Sequence, residues 1–96
     1  MKNISKDDFY RITAGAPVLV EFYADWCGEC KAMLPYLTKA ESKAEVEIYR
    51  FDCDGDREFV MELGIMALPT TVLYENGKEK ARKTGLLQTE EILEML

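Results

Sequence analysis

The 96-residue chain is predicted to fold as an α/β domain, one mixed β-sheet of about four strands with helices on both faces. Three observations carry this. Strand-like and helix-like segments alternate along the chain, the order that gives a parallel pair joined through a right-handed helical crossover. Residues 18–24 read VLVEFYA, a near-continuous apolar run of the kind found in a strand covered on both faces. Asn76-Gly77 lies between two strand-like runs and is the strongest short-range hairpin signal, so the sheet closes with an antiparallel pair. A chain this short supports one core, and residues 1–96 are read as a single domain.

The elements follow in order. Ser5 with Asp8 three residues on resembles a capping box and starts a helix over about Lys6–Thr13, with Phe9 and Ile12 on one face. Gly15 and Pro17 end it. After the apolar strand, Cys27 to about Ala44 has helical spacing with Met33, Leu34 and Leu37 on one side; Pro35 inside it is expected to kink the helix. Val46–Cys53 alternates as a second strand and runs into the acidic turn Asp54-Gly55-Asp56. A helix over about Arg57–Leu63 carries Phe59, Val60 and Leu63 inward and stops at Gly64. Thr70–Tyr74 and Glu79–Thr84 form the hairpin, and Gly85 breaks the last strand. Thr89–Leu96 is a closing amphipathic helix that turns Ile92, Leu93 and Leu96 to the core.

Composition excludes several function classes. Twelve basic against eighteen acidic residues leave a net charge of −6, the wrong sign for nucleic acid or an anionic membrane surface. No histidine is present, which removes the commonest general base and metal ligand. Neither an apolar signal segment nor a run of the ~20 apolar residues a membrane span needs is visible, so a cytoplasmic location is expected. Three cysteines, Cys27, Cys30 and Cys53, have the wrong parity for a secreted disulfide framework. In a reducing compartment a close pair is catalytic or metal-binding more often than structural.

The chemistry therefore starts at Cys27-Gly28-Glu29-Cys30, directly after the apolar strand and at the opening of the long helix. Positions i and i+3 on a helix have Cβ atoms ~5–6 Å apart, and slight tightening reaches the ~3.5–4.5 Å of a disulfide. The pair can thus cycle between dithiol and disulfide with little backbone movement. Cys27 at the helix start meets free N–H groups and the positive end of the dipole, which favour its attacking thiolate. Cys30, one turn in, is placed to resolve a mixed disulfide. A structural disulfide and half of a zinc site are the alternatives. Zinc wants four ligands, and the chain offers Cys53 as its only further thiol, so no metal is expected.

These residues resemble the thioredoxin family along nearly the whole chain. The resemblance rests on Ala24-Asp25-Trp26-Cys27-Gly28-Glu29-Cys30-Lys31, Pro35, Leu68-Pro69-Thr70, Asn76-Gly77 and Gly85, in that order. It implies a thioredoxin fold, with only Asn3-Ile4 available for the family's first strand, which is then short or absent. It also implies reduction of protein disulfides, with a cis Leu68–Pro69 bond beside the cysteines and Trp26 as a partly exposed wall of the substrate groove. A trans proline opening a strand and a core tryptophan are the plainer readings. Pro69 offers no N–H, which leaves the Leu68 backbone to pair with an extended substrate. Gly28 and Gly85 would let a substrate backbone approach, though either is also an ordinary turn glycine.

Two positions set this chain apart. Glu21 interrupts the apolar strand, and a carboxylate buried there is costly unless paired or protonated; burial raises its pKa. By resemblance it stands where the family carries a buried aspartate that assists deprotonation of the resolving cysteine, and Arg50 stands where a lysine faces that acid. Glu21 is expected to take or relay the Cys30 proton, with a plain Glu21–Arg50 ion pair as the alternative. Glu29 replaces the family's usual proline. A carboxylate ~6 Å from the Cys27 sulfur costs its thiolate about 0.7 kcal/mol in water and ~3 at an effective dielectric of 20, and the exposed site favours the lower figure. That offsets the ~0.3–1 kcal/mol from the helix terminus. Cys53 reads as a buried, inert thiol, and Met33, Met61, Met66 and Met95 as core or groove filler.

The expected function is a dithiol–disulfide oxidoreductase, a monomer with no bound cofactor, that reduces protein disulfides and is recharged by a separate thioredoxin reductase. An oxidant or isomerase with the same chemistry, and a redox-silent module that uses the groove only for binding, are the alternatives.

Overall fold

The computed structural model covers residues 1–96 and holds a five-stranded mixed sheet in the order β1-β3-β2-β4-β5. The elements are β1 (Lys2–Asn3), α1 (Lys6–Thr13), β2 (Val18–Tyr23), α2 (Gly28–Lys43), β3 (Glu47–Asp52), α3 (Arg57–Glu62), β4 (Thr70–Glu75), β5 (Lys78–Thr84) and α4 (Thr89–Glu94), with one 3₁₀ turn at Cys53–Gly55 before α3. β2 pairs with β3 in parallel through α2 and with β4 antiparallel, and all six residues of β2 are buried. The strand in doubt from the sequence is present, shifted by one residue: Lys2 and Asn3 pair in parallel with Tyr49 and Arg50.

The local signals act as their chemistry dictates. Ser5 and Asp8 close a reciprocal capping box at the start of α1. At the hairpin, Asn76 and Gly77 both take positive φ (54° and 77°), the geometry that matches the twist of paired strands. The amides of Asn76 and Gly77 donate to the carbonyls of Gly15 and Thr13, so the hairpin tip is fastened to the end of α1.

Strand alternation divides the core. Val18, Val20, Phe22, Phe51, Val72 and Tyr74 pack with Phe9 of α1 and Phe59 and Val60 of α3. Leu19 and Ile48 pack on the other face with Met33, Leu37 and Ala40 of α2, Ile92 of α4 and Met95 just after it. Burying each such side chain contributes roughly 1.5–3 kcal/mol.

Two expectations are corrected. Leu34 lies off the buried stripe of α2, which runs through Cys30, Met33, Leu37 and Ala40, and is exposed. α4 ends at Glu94, so Leu96 is exposed and Met95 fills the core place expected of it. Met61 and Met66, read as core or groove filler, are 75% and 95% exposed and line a groove rather than the core.

Candidate active site

Cys27 is the N-cap of α2, in extended backbone, and Cys30 sits in the first turn. Their Cα atoms are 5.2 Å apart and their sulfurs are joined in a disulfide. The backbone N–H of Cys30 donates to Cys27 Sγ at 3.2 Å. A helix N-terminus therefore already supplies a donor to this sulfur, and the same donor would stabilise a thiolate there. Both residues are buried, Cys30 at 1% and Cys27 at 7% exposure, so the outer sulfur is the one within reach of a partner.

Two recesses flank the pair. On one side an apolar groove of about 380 Å³ is lined by Trp26, Cys53, Val60, Met61, Met66 and Leu68, among others. Trp26 is 68% exposed, and its indole N–H donates to Asp54 Oδ2 at 2.9 Å, which fixes the ring as a wall. The Leu68–Pro69 peptide bond is cis, and Leu68 packs against the cysteine cluster. The Gly85 N–H donates to the Pro69 carbonyl at 2.7 Å, and Gly85 has φ 98°, a conformation side chains rarely take. Gly28 has ordinary helical backbone, and a Cβ there would meet nothing within 4 Å. Glu29 turns toward the loop after β5, where the Leu86 N–H donates to its Oε1 at 3.2 Å.

On the other side a cleft of about 270 Å³ is lined by Cys30, Lys31, Leu34, Tyr23, Ala24, Asp25 and Arg50. Glu21 lies on the sheet face beneath α2, fully buried, and Arg50 Nε donates to its Oε1 at 2.7 Å across the parallel β2–β3 pair. The guanidinium also stacks on the Tyr23 ring, 3.6 Å from its centre. Burial pushes the Glu21 carboxyl above the ordinary range, and the bond to Arg50 opposes this without cancelling it.

Of the sequence-derived site residues, Trp26 and Leu68 line the groove and Glu21 and Arg50 lie beneath the helix, while Pro69 is hydrogen-bonded to Gly85, Gly28 opens α2 and Glu29 is bonded to Leu86. The residue not anticipated is Asp54, which anchors Trp26. The acidic turn after β3 was visible, but only the fold brings it under the indole. Cys53 lines the groove, and burial pushes its thiol up to about 12, followed by the charges of Asp52, Asp54 and Glu21. A wider depression of about 650 Å³ at the start of α1 contains none of the cysteines. No three His, Cys, Asp or Glu side chains come together as a metal set, and no helix is long and apolar enough to cross a membrane.

The thioredoxin family model matches residues 1–96. The chain is 33% identical to the thioredoxin of Rickettsia felis over 98% of this chain and 93% of that protein, and 32% identical to that of Chlamydia muridarum over 97% and 92%. Among solved structures, thioredoxin f2 of Chlamydomonas reinhardtii superposes with a TM-score of 0.89 at 30% identity, over 99% of this chain and 92% of that one. The Malassezia sympodialis thioredoxin superposes at 0.86 with 31% identity, over 99% and 86%. With its CxxC pair closed at the start of α2 in a five-stranded mixed sheet, the chain belongs to the thioredoxin family of protein thiol–disulfide oxidoreductases.

Proposed function

We propose that the chain works as a monomeric electron carrier of the cytoplasm that reduces protein disulfides. The Cys27–Cys30 disulfide at a helix N-cap, beside an open apolar groove, supports this most directly. In the reduced form the Cys27 thiolate attacks one sulfur of a substrate disulfide. The substrate S–S bond breaks, one substrate sulfur leaves as thiolate and takes up a proton, and a mixed disulfide forms at Cys27. Cys30 then loses its proton and attacks Cys27 Sγ, which releases the second substrate thiol and closes Cys27–Cys30. Two electrons pass to the substrate, and a reductase of the thioredoxin reductase type returns them.

Glu21 is assigned the proton of Cys30, with Arg50 as its charge partner. Trp26, Gly28, Leu68, Pro69 and Gly85 are assigned to the substrate, whose extended backbone pairs alongside Leu68. Glu29 tunes the thiolate at Cys27. The test is dithiothreitol-driven insulin reduction followed by turbidity. Wild type should accelerate it, and Cys27→Ser should fall to the uncatalysed rate. A Cys27→Ser variant as fast as wild type would overturn the assignment.

A further inference from the structure

Beneath α2 the sheet carries a polar row in an otherwise apolar layer. Arg50 on β3, Glu21 on β2 and Thr71 on β4 occupy paired positions, Glu21↔Arg50 and Glu21↔Thr71. Paired residues project to one face, and in an antiparallel pair their Cβ atoms are ~4.5–5.5 Å apart. The neighbouring pair Leu19↔Leu73 packs on the α2/α4 side, which fixes this face for the row. Glu21 and Thr71 are both fully buried. Arg50 occupies Oε1 of Glu21, whereas Oε2 has no hydrogen-bond partner, and neither has Thr71 Oγ1. The remaining unpartnered buried side-chain atom, the Tyr74 hydroxyl, belongs to the opposite face. Two orphaned oxygens on adjacent paired positions are each costly alone and complementary together, one a carboxyl and the other a hydroxyl that donates and accepts.

We propose that the Thr71 hydroxyl is the second hydrogen-bonding partner of the Glu21 carboxyl, and that Thr71 is the residue that positions Oε2 for proton exchange with Cys30. Rotation about the Thr71 Cα–Cβ bond, or one water molecule between the two oxygens, closes the contact. The hydroxyl donates a charge-assisted bond to the ionised carboxylate and accepts a weaker one from the protonated acid, so it serves both halves of a proton relay while favouring the ionised form. Arg50 alone serves only the ionised half. This rests on the assignment of Glu21 as the group that exchanges the Cys30 proton. Other titratable groups around the row are Lys83 on β5, paired with Thr71; Cys30 and Lys31 at the start of α2; Tyr23 on the same strand; and Asp25 after it. From α4 and its C-cap this layer receives Ile92 and Met95.

The test is the carboxyl titration of Glu21 by ¹³C NMR in the reduced protein, with the pH profile of mixed-disulfide resolution measured alongside. Thr71→Val keeps the shape and removes the hydroxyl, so the Glu21 titration should move upward by about one unit. The resolution profile should move with it, and Thr71→Ser should restore both. An unchanged Glu21 titration in Thr71→Val would overturn the proposal. A crystal structure of the wild type provides the second measurement. Thr71 Oγ1 bonded to Oε2, directly or through one water, supports the proposal; a Thr71 hydroxyl directed elsewhere overturns it. Glu21→Gln separates the underlying reading. If it keeps the wild-type resolution profile, the relay itself is lost, whereas the Glu21 titration still reports on Thr71.

Discussion

The two faces of the sheet are filled by different chemistry. On the α1/α3 face, Phe9, Phe22, Phe51, Phe59 and Tyr74 meet in tilted and edge-on contacts with ring centres 5.0 to 6.4 Å apart. No charged side chain is buried among them, and Lys6 caps the layer from outside with its Nζ 5.3 Å from the centre of the Phe59 ring. On the α2/α4 face, aliphatic side chains share the layer with the buried carboxyl of Glu21 and the guanidinium that meets it. An apolar residue at position 21 would pack that layer at lower desolvation cost. The difference teaches that one face is filled by apolar packing throughout while the other gives up part of its layer to a buried ion pair. The other accepts an ionisable group beneath the helix that carries the cysteines.

The largest test of this contrast is on the aromatic face. Phe59→Ala should cost about 3–5 kcal/mol in denaturant unfolding. The shape of stability against pH should not change, because no titrating group is lost. Across the sheet, Arg50→Met leaves Glu21 buried without its cation and should cost about 3 kcal/mol near neutral pH. That deficit should shrink in acid, where Glu21 takes up a proton. A loss independent of pH would show that the pair acts only through packing.

Glu21→Gln should have a smaller effect with a definite sign. Burial raises the native carboxyl above its unfolded value, so between those two values the native state holds more protons than the unfolded state. Wild-type stability therefore falls as pH rises through that window, and levels off above the native value. The variant lacks this decline, so it should gain on wild type from mildly acid to neutral pH. Parallel curves would remove Glu21 as a titrating group.

The smallest effects belong to the rim. Glu29→Pro removes a carboxylate near Cys27 and, with about 0.7 kcal/mol at stake, should speed alkylation of the reduced protein by roughly threefold near pH 7. An equal or slower rate would discard the tuning role. Cys53, with its thiol held protonated, should resist iodoacetamide near pH 8 until the chain is unfolded.

Much of the site was legible because its signals are local. A helix start and a two-residue spacing are contiguous in sequence, so Cys27 and Cys30 could be read from their neighbours, whereas Trp26 and Pro69 were read from the family resemblance. Glu21 was legible as a charge within an apolar run. The rest depends on contacts between distant segments. Asp54 reaches Trp26 across 28 positions, and Glu29 reaches Leu86 across 57. The apolar count of α2 could not tell Leu34 from Leu37, since one helical step decides which faces the sheet and which faces the cleft. Met61 and Met66 read as filler because thioether side chains suit a core and an exposed groove equally well.

By itself, the sequence determined the alternation of elements, the caps and turns, and the redox chemistry, since each follows from residue type and short spacing. The β2–β3 pair and the β4–β5 hairpin were legible in the sequence, whereas tertiary structure alone decided that β4 lies against β2, and so which polar side chains share a face. Strand register is a long-range property: moving β4 by one residue along β2 would turn Thr71 to the opposite face from Glu21, with no change in any local signal.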